Sequence, residues 1–139
     1  MGLAEILKLF INVKARQDKE PLSRKDILSK VSIKINSVIS YIGSHYNTIT
    51  SIDEIADSCY INKSHMCRLF KKETGLTVFE YMNHIKIQQS CEMIKNTNDS
   101  ITDIAAKCGF SSASYFSYAF KEIMDCSPSQ FRKSQNKNV

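Results

Sequence analysis

Residues 51–71 read SIDEIADSCYINKSHMCRLFK, and residues 100–121 read SITDIAAKCGFSSASYFSYAFK. Ile52, Ile55, Ala56 and Cys59 of the first stretch recur as Ile101, Ile104, Ala105 and Cys108 of the second, at one constant offset. Past the turn the offset grows by one, so that Ser64, Phe70 and Lys71 recur as Ser114, Phe120 and Lys121. The second copy therefore carries one extra residue, at the turn or at the start of its second helix. Apolar residues in both copies fall three and four apart, the spacing of helices that bury one face. Each copy reads as a short helix, a tight turn and a longer helix, the helix-turn-helix pattern. The small Ala56 and Ala105 have a physical reason: two helices that cross closely leave no room for a bulky side chain at the crossing.

Capping residues set the limits of these helices. Ser51 or Thr50 opens the first, with Asp53 and Glu54 in the first turn where the helix dipole favours acids. Asn62 opens the next, which ends with Lys71 and Lys72 in its last turn and stops at Gly75. A long helix follows over about 78–96. Ser100 and Ser111 are the expected caps in the second copy, and Pro128 opens a last short helix. Upstream, Leu28, Val31, Ile35, Val38, Ile39 and Ile42 share one face and predict a helix from about Ile27 to Tyr46. Leu3, Ile6, Leu7 and Phe10 mark a short amphipathic helix, followed by a polar linker that contains Pro21. Alternating strand patterns are absent. The expected fold is all-α: a seven-helix domain of two helix-turn-helix units (about 51–73 and 101–124) joined by a long central helix, preceded by a short N-terminal helix. The expected domains are an N-terminal helix and linker at 1–30, the main domain at 31–134 and a polar tail at 135–139.

Composition narrows the function. A chain of 139 residues is one ordinary domain or two very small ones, and no apolar run approaches the ~20 residues of a membrane span. The apolar opening is broken by Glu5 and no small-residue cleavage site follows, so a signal peptide is not expected and the protein is predicted to be cytoplasmic. Five cysteines at unequal spacings, with no C-x-x-C pair, suggest reduced thiols, mostly in the core. The net charge of +5 favours an anionic partner. The histidines, His45, His65 and His84, accompany no nucleophile elbow, phosphate loop or paired carboxylates, so no enzyme, cofactor or metal site is predicted.

The doubled motif favours DNA. In a helix-turn-helix the second helix enters the major groove and its N-terminal exposed face touches base edges. Two copies in one chain can occupy two successive major grooves without dimerisation. The linking helix, about 27 Å from Val78 to Lys95, is a little short of the ~34 Å between grooves on one DNA face, which implies bent DNA or a looser second contact.

In order along the chain, IAD, RLFKKETG, EYMNHIKI, SITDIAAKCGF, SYFSYAFK and CSPSQFRK make the region from about Ile33 to Lys133 resemble the DNA-binding domain of the AraC/XylS family of transcription regulators. The resemblance implies sequence-specific binding to double-stranded promoter DNA and activation through contact with RNA polymerase. It also implies a sensor, dimerisation or receiver domain upstream, for which residues 1–30 leave no room, so a fragment of a longer regulator is the favoured expectation.

By helix face and by resemblance, Ser64, Cys67 and Arg68 are the base-facing candidates of the first unit, and Ala113, Ser114, Ser117 and Tyr118 those of the second. Arg68 suits a bidentate contact to guanine O6 and N7. Lys63, Lys71, Lys72, Lys121 and Arg132 are the phosphate candidates, with Arg132 equally suited to tying down the last helix. Between Asn62 and Lys72 there are several basic residues and no acid, whereas Ser111 to Lys121 holds Lys121 alone. Unequal halves follow: the first unit anchors, and the second reads by hydroxyl and apolar contacts. Relatives often carry arginine where Tyr118 stands, and glycine where Tyr60 and Asp125 stand, so Tyr60 predicts a strained or rearranged first turn. Ile55, Phe70, Phe79, Phe116 and Phe120 are expected in the core. Two other functions compete: a thiol- or metal-responsive regulator using Cys59, His65 and Cys67, and a protein-interaction module without specific DNA binding.

Overall fold

The computed structural model describes residues 32–136. Seven helices occupy them: α1 (Ile33–His45), α2 (Ile52–Ser58), α3 (Lys63–Thr74), α4 (Val78–Asn96), α5 (Ile101–Lys107), α6 (Ala113–Met124) and α7 (Pro128–Asn136). No strand occurs among the described residues. The expected helix at 3–13, the linker around Pro21 and the start of the helix placed at Ile27 lie outside them. α7 continues through Gln135 and Asn136, which the sequence pattern assigned to a polar tail.

The chain divides into two compact units, and the division falls inside α4, between Ile85 and Lys86. In the first unit, Val38, Ile39 and Ile42 of α1 bury against Ile55 and Ala56 of α2, Met66 and Phe70 of α3, and Tyr81 and Ile85 of α4. Each of these side chains is almost wholly removed from water, so truncating any one costs both transfer energy and a cavity. Glu73, in the last turn of α3, accepts hydrogen bonds from the Ser32 backbone N–H at 2.7 Å and from its hydroxyl at 3.1 Å. The end of α3 thereby closes the start of α1. In the second unit, Ile87, Cys91 and Ile94 of α4 bury against Ile104 and Ala105 of α5 and Phe116 and Phe120 of α6. Phe131 of α7 meets Phe120 edge-on at 5.7 Å.

The capping pattern explains where the helices begin. Ser51 accepts from the Glu54 N–H, Asn62 from His65, Ser100 from Asp103, and Ser127 from Gln130, whose side-chain oxygen accepts in return from the Ser127 N–H. One cap differs from expectation: Ser112, not Ser111, accepts from the Tyr115 N–H and opens α6. The extra residue of the second copy is therefore Ser111, and it lies in the turn. Phe79 also departs from expectation. It sits in the first turn of α4 and is 48% exposed, so it is not a core residue.

The two turns match bond for bond. Tyr60 N–H donates to the Asp57 carbonyl and Ile61 N–H to Ala56; Gly109 donates to Ala106 and Phe110 to Ala105. This double closure needs a left-handed residue after the helix end, usually glycine. Gly109 supplies it at φ 88°, and Tyr60 adopts it at φ 55° despite its side chain. The first turn is strained rather than rearranged. Asp125, at φ 62°, ends α6 where Gly75, at φ 82°, ends α3.

Candidate nucleic-acid interface

α3 exposes Lys63, Ser64, His65, Arg68, Lys71 and Lys72, while Met66 and Phe70 on its opposite side are buried in the first core. Ser64 and Arg68 stand one turn apart on the open face, and the Arg68 Nε–H approaches the Ser64 carbonyl at 3.5 Å. Among the described residues Arg68 makes no ion pair, so its guanidinium is available to an anion or a base edge. Cys67, expected beside them, is instead half-buried against the first core. The reason is angular: Cys67 follows Met66 by one helical step and is carried toward the packed side. His65 takes the open place. The three-residue spacing from His65 to Arg68 was the sequence signal for it.

Two of the basic residues already hold local partners. Lys63 pairs with Asp53 at 3.3 Å, both exposed, and Lys71 donates to the Gly75 carbonyl at 3.0 Å at the end of α3. Such exposed contacts are worth at most about 1 kcal/mol and yield readily to a phosphate. Lys72 is exposed nearby.

α6 presents a different chemistry. Ser114, Ser117 and Tyr118 are exposed, Tyr118 at 64%, and Ala113 is half-buried in the first turn. Lys121 is exposed one turn beyond Ser117. Tyr115 lies between the core and this face, with its ring 6.1 Å from Phe110 and 6.4 Å from Tyr118. Arg132 in α7 donates to the Thr97 carbonyl at 3.4 Å, and Lys95 lies 5.9 Å over the Phe131 ring. Arg132 thus ties the last helix to the chain leaving α4.

The groups proposed for a thiol or metal sensor do not gather. Cys59 belongs to the turn after α2, and burial pushes its thiol pKa up, away from the reactive thiolate form. No group of three metal-ligating side chains comes together among the described residues. All five cysteines are free; Cys91 and Cys108 are buried, and burial pushes their thiols up to about 12 and about 11. No helix of the described residues is long and apolar enough to cross a membrane.

With paired helix-turn-helix units in place, the comparisons with known proteins become specific. Residues 55–134 match the family model described as a helix-turn-helix domain. The chain belongs to the AraC/XylS family of helix-turn-helix transcription regulators. The Msm operon regulatory protein of Streptococcus mutans is 31% identical over 98% of this chain and 48% of its own length. The transcriptional activator RhaS of Escherichia coli is 26% identical over 82% of this chain and 41% of its own. The chain spans about half the length of the curated relatives it matches. Among solved structures, the C-terminal domain of AraT, a response regulator from Geobacillus stearothermophilus, superposes with a TM-score of 0.71 at 25% identity, covering 76% of this chain and 88% of that one. The DNA-binding domain of AdpA, a global transcriptional factor solved with a target DNA, gives 0.72 at 19% identity, covering 77% and 96%, a likeness of fold.

Proposed function

We propose that the chain activates transcription by placing α3 and α6 in successive major grooves of promoter DNA and contacting RNA polymerase. The observation that carries this is the duplicated turn: two units closed by the same backbone bonds, each presenting the exposed face of its second helix. Ser64 and Arg68, joined by His65, read bases from α3, with Arg68 donating to guanine O6 and N7. Ser114, Ser117 and Tyr118 read from α6 by hydroxyl and apolar contacts, with Ala113 contributing a methyl group at the rim. Lys63, Lys71, Lys72 and Lys121 hold phosphates and fix the register without carrying sequence information. Arg132 assists there with whatever guanidinium N–H groups its bond to Thr97 leaves over. The description of RhaS as an activator supports the sign of regulation. Catalysis has no part in this function, and the site of action is the cytoplasm, where the promoter is.

Selection from random duplex DNA at about 0.15 M salt, where nonspecific phosphate attraction is partly suppressed, tests the proposal. Two short boxes about one helical turn apart are expected. Arg68→Ala should weaken binding to the selected duplex by about 1–3 kcal/mol and relax the first box, and by more than Tyr118→Ala does. Enrichment of no box, with binding that vanishes as salt rises, would refute specific readout. Equal losses from the two substitutions would refute the unequal division between the units.

A further inference from the structure

Lys86 is a buried cation that the recognition of DNA leaves unexplained. It lies on α4 in the second unit and is only 7% exposed. Lysine is rarely buried unless its ammonium is given partners. Here the partners belong to the helix-turn-helix turn itself. Nζ donates to the Gly109 carbonyl at 3.2 Å and lies 5.5 Å over the Phe110 ring. Gly109 is the left-handed residue that closes α5, and the Phe110 ring packs on Phe116 of α6 at 5.0 Å. A chain of contacts therefore runs from α4 through the turn to the second recognition helix, and Lys86 is its first link. Among the described residues of the first unit no lysine holds the corresponding turn in this way. There the space between α1 and the corresponding turn is an open groove bordered by Ser37, Ser40, Cys59 and the exposed Tyr60.

We propose that Lys86 is a positioning residue for DNA readout: by holding the Gly109 carbonyl and the Phe110 ring, it sets the pose in which α6 meets its base pairs. The inference rests on the two-box function proposed above and assigns a determinant to the second box alone. α6 has little charge with which to recover affinity from a misplaced pose, since Lys121 is its one basic residue. Loss of the clamp should therefore appear as lost sequence discrimination rather than lost folding, because Gly109 is half-exposed and water can replace the donor.

The test compares wild type, Lys86→Met and Lys86→Arg on three duplexes: the selected one, one with the first box scrambled and one with the second box scrambled. The methionine variant should bind the intact duplex roughly tenfold more weakly, the scale of one charge-assisted hydrogen bond. Scrambling the second box should then cost it nothing further, while scrambling the first costs what it costs wild type. Arginine, which can reach the same carbonyl and stack on the same ring, should restore discrimination. Three results would overturn the proposal: wild-type discrimination at the second box in Lys86→Met, failure of arginine to restore it, or collapse of helical content in the methionine variant, since the lysine would then hold the unit together instead of aiming it. Failure of wild type to discriminate either box would overturn the two-box function, and this inference with it.

Discussion

Replacing Tyr60 with glycine should stabilise the first unit. Tyr60 holds φ 55°, where an L side chain brings its Cβ too close to the neighbouring carbonyl, at a cost of roughly 1–2 kcal/mol. A glycine at the same place pays no such penalty but loses more freedom on folding, which leaves a net gain of about 1 kcal/mol. The ring offers little to set against this. At 96% exposure it buries almost no surface, and the turn's hydrogen bonds use only the backbone of Tyr60 and Ile61. For a unit of this size the gain raises the melting temperature by about 5 °C. Thermal unfolding followed by circular dichroism, with urea titration as a second measure, reads the change directly. Tyr60→Ala supplies the control, since it removes the ring and keeps the Cβ, and should gain little. Equal stabilisation by alanine and glycine would place the effect in the exposed ring. No gain from glycine would mean that the left-handed turn stores no strain, and the comparison with Gly109 would lose its force.

Two further outcomes follow from the same geometry and from one half-buried histidine. Gly75 ends α3 at φ 82° with open space where a Cβ would go, so Gly75→Ala should cost about 1 kcal/mol through the backbone alone, and Gly75→Asn less, as Asp125 does the same work in the second unit; denaturation midpoints of the two variants check it. Burial pushes the His84 pKa down to about 4, against a smaller opposing pull from Glu80. The unfolded chain therefore takes up a proton near pH 6.5 that the folded chain refuses, and stability present above that pH declines as pH falls toward 4, by about 3 kcal/mol at most. Urea midpoints measured from pH 7 to 4 should show this slope in wild type and lose much of it in His84→Gln; equal slopes would refute the assignment to His84.

What could be read from sequence was what is local. Asn62, Gly75, Ser100 and Pro128 each set a helix limit by chemistry confined to a few neighbours, and the structure keeps each of them; of the pair Ser51 and Thr50 it takes Ser51. Ser111 and Ser112 could not be told apart in that way. The choice depends on which residue the second copy inserts, and the bond from the Tyr115 N–H to the Ser112 hydroxyl settles it by leaving Ser111 as the spare. Phe79 looked like core because apolar residues surround it in sequence, yet its place in the opening turn of α4, just after Thr77 caps that helix, turns it toward water. The face of α3 was legible in part: Ser64 and Arg68 stand open as expected, while Cys67 is half-buried and His65, given no place on that face, is exposed. Lys86 had no local signature. Its partners, Gly109 and Phe110, are twenty-three and twenty-four residues away, and a single lysine in a helix reads as a solvated one.

The two copies have diverged in complementary directions, and the divergence explains why each feature sits where it does. α3 carries Lys63, Arg68, Lys71 and Lys72, so under the proposed function phosphate attraction and one guanidinium would hold it on DNA even when its seating is imperfect. A turn strained at Tyr60 and bordered by an open groove is tolerable in such a unit. α6 has one lysine, hydroxyls and a tyrosine, whose contacts are short-ranged and fail with small displacements. Under the proposed function binding there depends on pose, and that is the unit in which glycine relaxes the turn and a buried lysine holds the turn's carbonyl. Moving the arrangement should expose the logic: an arginine introduced as Tyr118→Arg gives α6 a charged anchor of its own, and in that background Lys86→Met should lose much less than the tenfold expected from a single charge-assisted contact. An undiminished loss would show that charge on the helix and rigidity of its turn are independent, and that the division of labour between the two units has another cause.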